Sequence, residues 1–140
     1  LYQIDAPQRI AILGSMNEFG ELSPKAHEAV GKLCDPNYLQ WVVTVGADAR
    51  DYLAPAAQAK GCQVRSFDNP YDAAGFVHAE VKKGGVVLIK GSQNGVFTEE
   101  ATKALLHDAA DETQLVRQTP AWLAKKNEQF QKPIATNEDV

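Results

Sequence analysis

Cysteine is scarce in this chain, and what there is shows no pattern. Cys34 and Cys62 are the two among 140 residues, far apart and at no metal or redox spacing, which leaves them as reduced core thiols of a cytosolic protein. No run of about 18 consecutive apolar residues occurs, so nothing is expected to span a bilayer. A net positive charge is missing as well. With 14 basic against 18 acidic residues and a formal charge of -4, neither nucleic acid nor an anionic membrane is an expected partner. No basic-then-apolar segment precedes the first predicted strand, so no export signal is visible. Gly-x-Gly-x-x-Gly follows no strand, which weakens a dinucleotide reading. No Walker loop is present either: in Lys90-Gly91-Ser92 the lysine precedes the glycine and ends a strand. Internal repeats and low-complexity tracts are absent.

What the chain does carry is a regular alternation. A domain of this length buries about two-thirds of the surface its unfolded form exposes. Ile10-Ala11-Ile12-Leu13 is a short, wholly apolar run and reads as a central strand. The loop from Gly14 to Gly20 follows. Ser23-Pro24 is read as a cap and first helical position, with Ala26, Ala29, Val30 and Leu33 on the buried face. Leu39 to Val45 is the second strand. A helix from about Ala49 to Lys60 must kink or divide at Pro55, which lacks a donor and clashes with the preceding turn. Gln63 to Phe67 alternates polar and apolar, as a strand at a sheet edge would. Asn69-Pro70-Tyr71-Asp72 opens a helix with Ala73, Phe76, Val77 and Val81 inward. Val86-Val87-Leu88-Ile89, bounded by Gly84-Gly85 and Gly91, reads as a fourth strand buried on both faces. Thr98 is expected to cap a helix from Glu99 to about His107, with Ala101, Leu105 and Leu106 inward. Thr119-Pro120 starts a last helix through about Phe130, and Lys132 to Val140 is expected to be loose. The start, Leu1-Tyr2-Gln3-Ile4, carries no turn or capping residue and reads as the tail of an element in a longer chain.

Four strand–helix alternations predict an α/β domain of three layers, with a mainly parallel sheet and helices on both faces. If the fourth strand lies beside the first, the strand order reverses between them. The loops after Leu13 and Ile89 then face each other across a switch-point crevice, where open α/β sheets bind ligands. That places Ser15, Met16, Asn17 and Glu18 opposite Lys90, Ser92, Gln93 and Asn94. Lys90 is a candidate contact for a carboxylate or phosphate, although a lysine at a strand end also reaches solvent for no other purpose. Ser92 can donate to an anion or close its own turn. His27, His78 and His107 fall on three separate helices without a second ligand at metal spacing. No Ser-His-acid or Cys-His set can be assembled, so the residues by themselves describe a binding domain without catalytic apparatus.

Arg9-Ile10-Ala11-Ile12-Leu13-Gly14-Ser15-Met16-Asn17-Glu18-Phe19-Gly20-Glu21 resembles the Leu-Gly-Asp-Met-x-Glu-Leu-Gly segment of the Mur ligases. Ser23 to Gly31, with His27, is similar to the helix that follows in that family. Thr44-Val45-Gly46 and Val87-Leu88-Ile89-Lys90-Gly91-Ser92 match its later strands in order and spacing. The likeness covers about Arg9 to Leu106 and is strongest to the branch that adds D-alanyl-D-alanine to a UDP-N-acetylmuramoyl-tripeptide. It implies a Rossmann-like carboxy-terminal domain over residues 1–108, truncated at its amino end, with a helical extension and tail over 109–140. It further implies a cytoplasmic, ATP-dependent acid–amino-acid ligase of peptidoglycan synthesis. In such enzymes a central domain holds ATP and magnesium, a carboxylate becomes an acyl phosphate, and an amine attacks it. The carboxy-terminal domain closes the nucleotide site and presents the amine.

By position, Lys90 and Ser92, with Gln93 and Asn94, would bind the amino substrate, and Ser15 to Glu18 would line the cleft. Implied partners are the central and amino-terminal domains, the UDP-N-acetylmuramoyl peptide, and a dipeptide or amino acid. Two positions depart from the family pattern: Ser15 stands where Asp is usual, and Gln93-Asn94 where Arg-Gly is usual. The first removes a charge and the second a bidentate carboxylate fork. The family's Asn-Ala-Asn-Pro segment, which supplies a strand beside Val86 to Lys90, is absent, as are the phosphate loop and the uridine-binding domain. This leaves an apolar strand edge open to a homodimer or to the tail, and an isolated chain expected to be inactive. The rival reading is a non-catalytic Rossmann-like module that binds a small ligand or regulates.

Overall fold

The structure, a computed structural model, describes residues 1–131. Four strands, β1 (Arg9–Gly14), β2 (Trp41–Val45), β3 (Val64–Phe67) and β4 (Val86–Lys90), form one sheet in the order β3-β2-β1-β4. Every pairing is parallel, with Ile12 opposite both Val43 and Ile89. The helices are α1 (Ser23–Leu33), α2 (Ala54–Ala59), α3 (Pro70–Glu80), α4 (Glu99–Leu105) and α5 (Pro120–Phe130). The expected three-layer α/β architecture is what forms, and the reversal of strand order falls between β1 and β4. One core, around Ile10, Ile12, Val43, Val45 and Val77, fills the face covered by α3 and α4. The other, around Ala11, Val42, Leu53, Ala57, Cys34 and Leu39, fills the opposite face. Cys34 and Cys62 are buried free thiols, and burial, reinforced by nearby Cys62, pushes the Cys34 thiol up to about 11.

Local chemistry explains most element boundaries. Asn69 caps α3 by accepting from the Asp72 N–H at 2.8 Å, and its amide returns a bond to the Asp72 carboxylate at 2.9 Å. Thr119 accepts from the Trp122 N–H at the start of α5. Pro55 divides the second helical stretch: a π-turn over Ala49–Leu53 runs into α2, and the Ala54 N–H reaches back to the Ala49 carbonyl.

Four expectations are corrected. Strand β4 is not buried on both faces: Leu88 is 40% exposed, and the strand is the open edge that the resemblance implies, with no further strand pairing on its outer side among the described residues. Helix α1 does not turn Ala29 and Leu33 inward; Leu33 is 74% exposed, and the buried positions are Ser23, His27 and Gly31. The cause is close helix approach. A Cβ at Gly31 would meet the Leu53 carbonyl at 2.4 Å and the Ala56 Cβ at 2.7 Å, so the helix docks on its smallest residue. Ser23 is the first residue of α1 rather than its cap, and its hydroxyl donates to the Asp48 carboxylate at 2.6 Å. Thr98 precedes α4 without a side-chain cap bond, and that helix ends at Leu105 and buries Glu99 and Glu100 together with Ala101. The expectation for Lys132 to Val140 lies outside the described residues.

Candidate functional site

The loops leaving β1 and β4 meet. Gly14 and Gly91 stand with their Cα atoms turned toward each other: a Cβ on Gly14 would lie 3.2 Å from the Gly91 Cα and 2.5 Å from Val96. Only two residues without side chains allow strands to leave the sheet this closely. Beyond them the loops are stitched together. The Ser92 N–H donates to the Ser15 carbonyl at 3.2 Å. The Asn17 N–H donates to the Ser92 hydroxyl at 2.7 Å, and the Asn17 amide donates to the Asn94 carbonyl at 2.7 Å. Ser92 therefore has its oxygen engaged and keeps its own proton to give.

Behind this junction lies a second set of bonds that shapes the β1 loop. The Met16 N–H donates to His27 Nε2 at 2.9 Å, so the ring proton is on Nδ1, which donates to the Ser23 carbonyl at 2.8 Å. Ser23 in turn binds Asp48. His27 is fully buried, and its role is structural, since it ties the β1 loop to α1. Ser15 is buried too, with its hydroxyl accepting from the Ala49 N–H at 3.1 Å and facing the Val45 carbonyl at 3.4 Å. Its side chain thus serves the start of the π-turn, while its carbonyl joins the opposite loop.

Two hollows flank the stitch. One, about 320 Å³, is lined by Leu13, Met16, Asn17, Phe19, Val30, Lys90 and Ser92 among others. The second, about 360 Å³, is lined by Asn17, Glu18, Gly91, Ser92, Gln93 and Asn94. They share Asn17, Gly91 and Ser92, so they form one cleft with an apolar end and a polar end. Lys90 stands exposed at the mouth and makes no ion pair among the described residues. Glu18, at φ 72°, holds a backbone conformation uncommon for a residue with a side chain. Seven of the eight sequence-predicted residues thus line these hollows, and Ser15 faces the interior.

Sequence reasoning missed a buried charge cluster beyond the β4 loop. Lys126, 1% exposed, donates to Glu100 Oε1 at 2.6 Å and lies 3.1 Å from Glu99 Oε1. Arg117 binds Glu99 through two nitrogens, at 2.7 and 3.0 Å. Burial by itself would push the Glu99 carboxyl up, but the bonds from Arg117 and Lys126 outweigh it and hold it below its ordinary value. In the sequence Glu99-Glu100 read only as acids in a first helical turn, and it is the long return of the chain to Arg117 and Lys126 that pairs them in the interior. Among the described residues no group of three or more His, Cys, Asp or Glu side chains could hold a metal.

A Rossmann-like α/β domain with a cleft at its strand-order reversal is the class these features define. A family model, "Mur ligase, glutamate ligase domain", matches residues 1–93, and the chain belongs to that family. Among solved structures, a crystal structure of MurF from Acinetobacter baumannii shares the fold, with a TM-score of 0.59 at 16% identity. That likeness covers 81% of this chain and 23% of the MurF chain, so the present chain spans about a quarter of that protein.

Proposed function

We propose that this chain is the amino-substrate-binding, carboxy-terminal domain of an ATP-dependent, ADP-forming amide ligase of cytoplasmic peptidoglycan precursor synthesis. Residues 1–108 form the domain and 109–140 its extension, of which the described part, through residue 131, docks on it. The observation that carries the reading is the Lys90 ammonium, without an ion pair among the described residues, at the mouth of a cleft built by two stitched loops, in a chain of this family. Lys90 pairs with the carboxylate of D-alanyl-D-alanine or a similar amine. The Ser92 proton, free because the Asn17 N–H occupies the oxygen, supplies a second donor, and Gln93 and Asn94 border the polar end with Glu18. The absence of the family's Arg-Gly pair makes this a weaker carboxylate fork, consistent with a modest affinity that the assembled enzyme reinforces.

The residues present do not compose a nucleotide or magnesium site: the chain has neither a phosphate loop nor a metal-holding cluster among its described residues. ATP and magnesium belong on the central domain of the parent ligase, and the UDP-N-acetylmuramoyl peptide on domains beyond this chain. This domain's share of the work is to bind and orient the amine and, by swinging in, to exclude water. Titration of the ¹⁵N-labelled chain with D-alanyl-D-alanine tests the reading. Amide shifts centred on Asn17 and Ser92 to Asn94 are expected, with affinity reduced about tenfold or more in Lys90→Ala. Shifts elsewhere, or binding indifferent to Lys90→Ala, would favour a regulatory module instead.

A further inference from the structure

Three non-glycine residues have positive φ among those described: Glu18 in the cleft, Phe97 at 52° and Arg117 at 54°. A left-handed backbone is costly for a bulky side chain and persists only where the surroundings over-determine it. Phe97 and Arg117 converge on one group. The Lys126 ammonium stands 5.4 Å from the Phe97 ring centroid and donates to the Arg117 carbonyl at 2.7 Å, besides binding Glu99 and Glu100. Gln118 adds a bond to Glu100 at 3.0 Å. A buried ammonium satisfied on every side is an expensive way to fill space that a methionine would fill, and here it pins both strained residues.

The same helix grips the loop after β4 from outside. Lys125 donates to the Asn94 side-chain oxygen at 3.0 Å, and Gln129 donates to the Gly95 carbonyl. Trp122 and Phe130 meet the fully buried Phe97 edge-on, with centroids 6.0 and 6.2 Å apart. These residues recur at helical spacing along one side of α5. Residues 91–97 are therefore held between α5 and the Asn17 loop, and this is the segment that brings Ser92, Gln93 and Asn94 to the cleft.

We propose that α5 is a latch that sets the β4 lip of the cleft, with Lys126 as its positioning residue and Lys125 and Gln129 as its outer contacts. Ligand affinity then depends on side chains that never touch the ligand, and the extension after residue 108 is part of the binding apparatus. The ligand-binding part of this proposal rests on the amine-site reading; the mechanical part does not.

The test compares the full chain with Lys126→Met and with the double variant Lys125→Ala/Gln129→Ala. Amide exchange of Asn17 and Ser92, whose N–H groups make the cross-lip bonds, is expected to quicken tenfold or more in both, while amides of β1 and β2 keep their rates. D-alanyl-D-alanine affinity is expected to fall with it. Equal quickening of lips and sheet would make Lys126 a general stabiliser and overturn the proposal, as would unchanged lip exchange in both variants. If Lys126→Met fails to fold, the double variant decides, since it removes contacts of exposed side chains only. Quickened lips with no dipeptide binding by any form would uphold the latch and defeat the amine-site reading.

Discussion

Gly14 and Gly91 show how single residues set the cleft. Their mutual approach leaves no room for a Cβ on either: one at Gly14 meets Val96 at 2.5 Å, and one at Gly91 meets Thr98 at 2.7 Å. Gly14→Ala is therefore expected to cost about 1–3 kcal/mol through overpacking, read as a lower urea midpoint at unchanged slope. It should also speed Ser92 amide exchange, because the loops must part. Ser15 illustrates the opposite lesson. A polar residue in a polar loop reads as a site residue, yet its hydroxyl is spent on the Ala49 N–H and its contribution to the cleft runs through its carbonyl. His27 likewise occupies a family motif position while serving the backbone of Met16. Which way such side chains turn depends on the orphan donors nearby, and those are assembled by distant segments.

At the scale of elements, α4 and α5 are joined by buried charge as well as by apolar packing. Glu99 is held below its ordinary carboxyl value, so the unfolded chain binds its proton more readily than the folded one. Its contribution is then present above the unfolded value near 4.5 and is lost as pH falls through the lower folded value. Acidification below about pH 4.5 is expected to loosen α5 from α4. Glu99→Gln should flatten the fall in stability between about pH 5 and 3, measured by urea unfolding at each pH. An unchanged slope would show that Glu99 takes no part. The edge-on aromatic cluster of Phe97, Trp122 and Phe130 gives the same junction an apolar, pH-independent share.

At the scale of the whole molecule the sheet has an edge at each end among the described residues, β3 and β4, and the β4 edge is an apolar seam. Strand β4 ends the sheet, and along it runs an apolar groove of about 470 Å³ that includes Leu13, Val30, Leu33, Leu88 and Lys90. By the alternation of a parallel ladder, Val87 and Ile89 direct their N–H groups outward. We propose that a second copy of the chain pairs there in the absence of other domains. Light scattering should then show a mass that rises with concentration, and Leu88→Lys, which places a charge on the exposed edge, should return it to the monomer value. A monomer at every concentration would leave the seam without self-pairing.

Fold class, strand count, the central place of β1, the edge position of β3 and the caps at Asn69 and Thr119 were legible in the chain because they depend on local pattern: apolar runs, punctuation and capping chemistry. The meeting of the Leu13 and Ile89 loops was legible conditionally, since a parallel sheet admits few strand orders. The glycine-led face of α1, the inward turn of Ser15 and the burial of Glu99, Glu100 and Lys126 were decided by tertiary structure alone. Each depends on which remote surface arrives opposite a residue, and a one-dimensional pattern records a side chain's chemistry but not the neighbour that satisfies it.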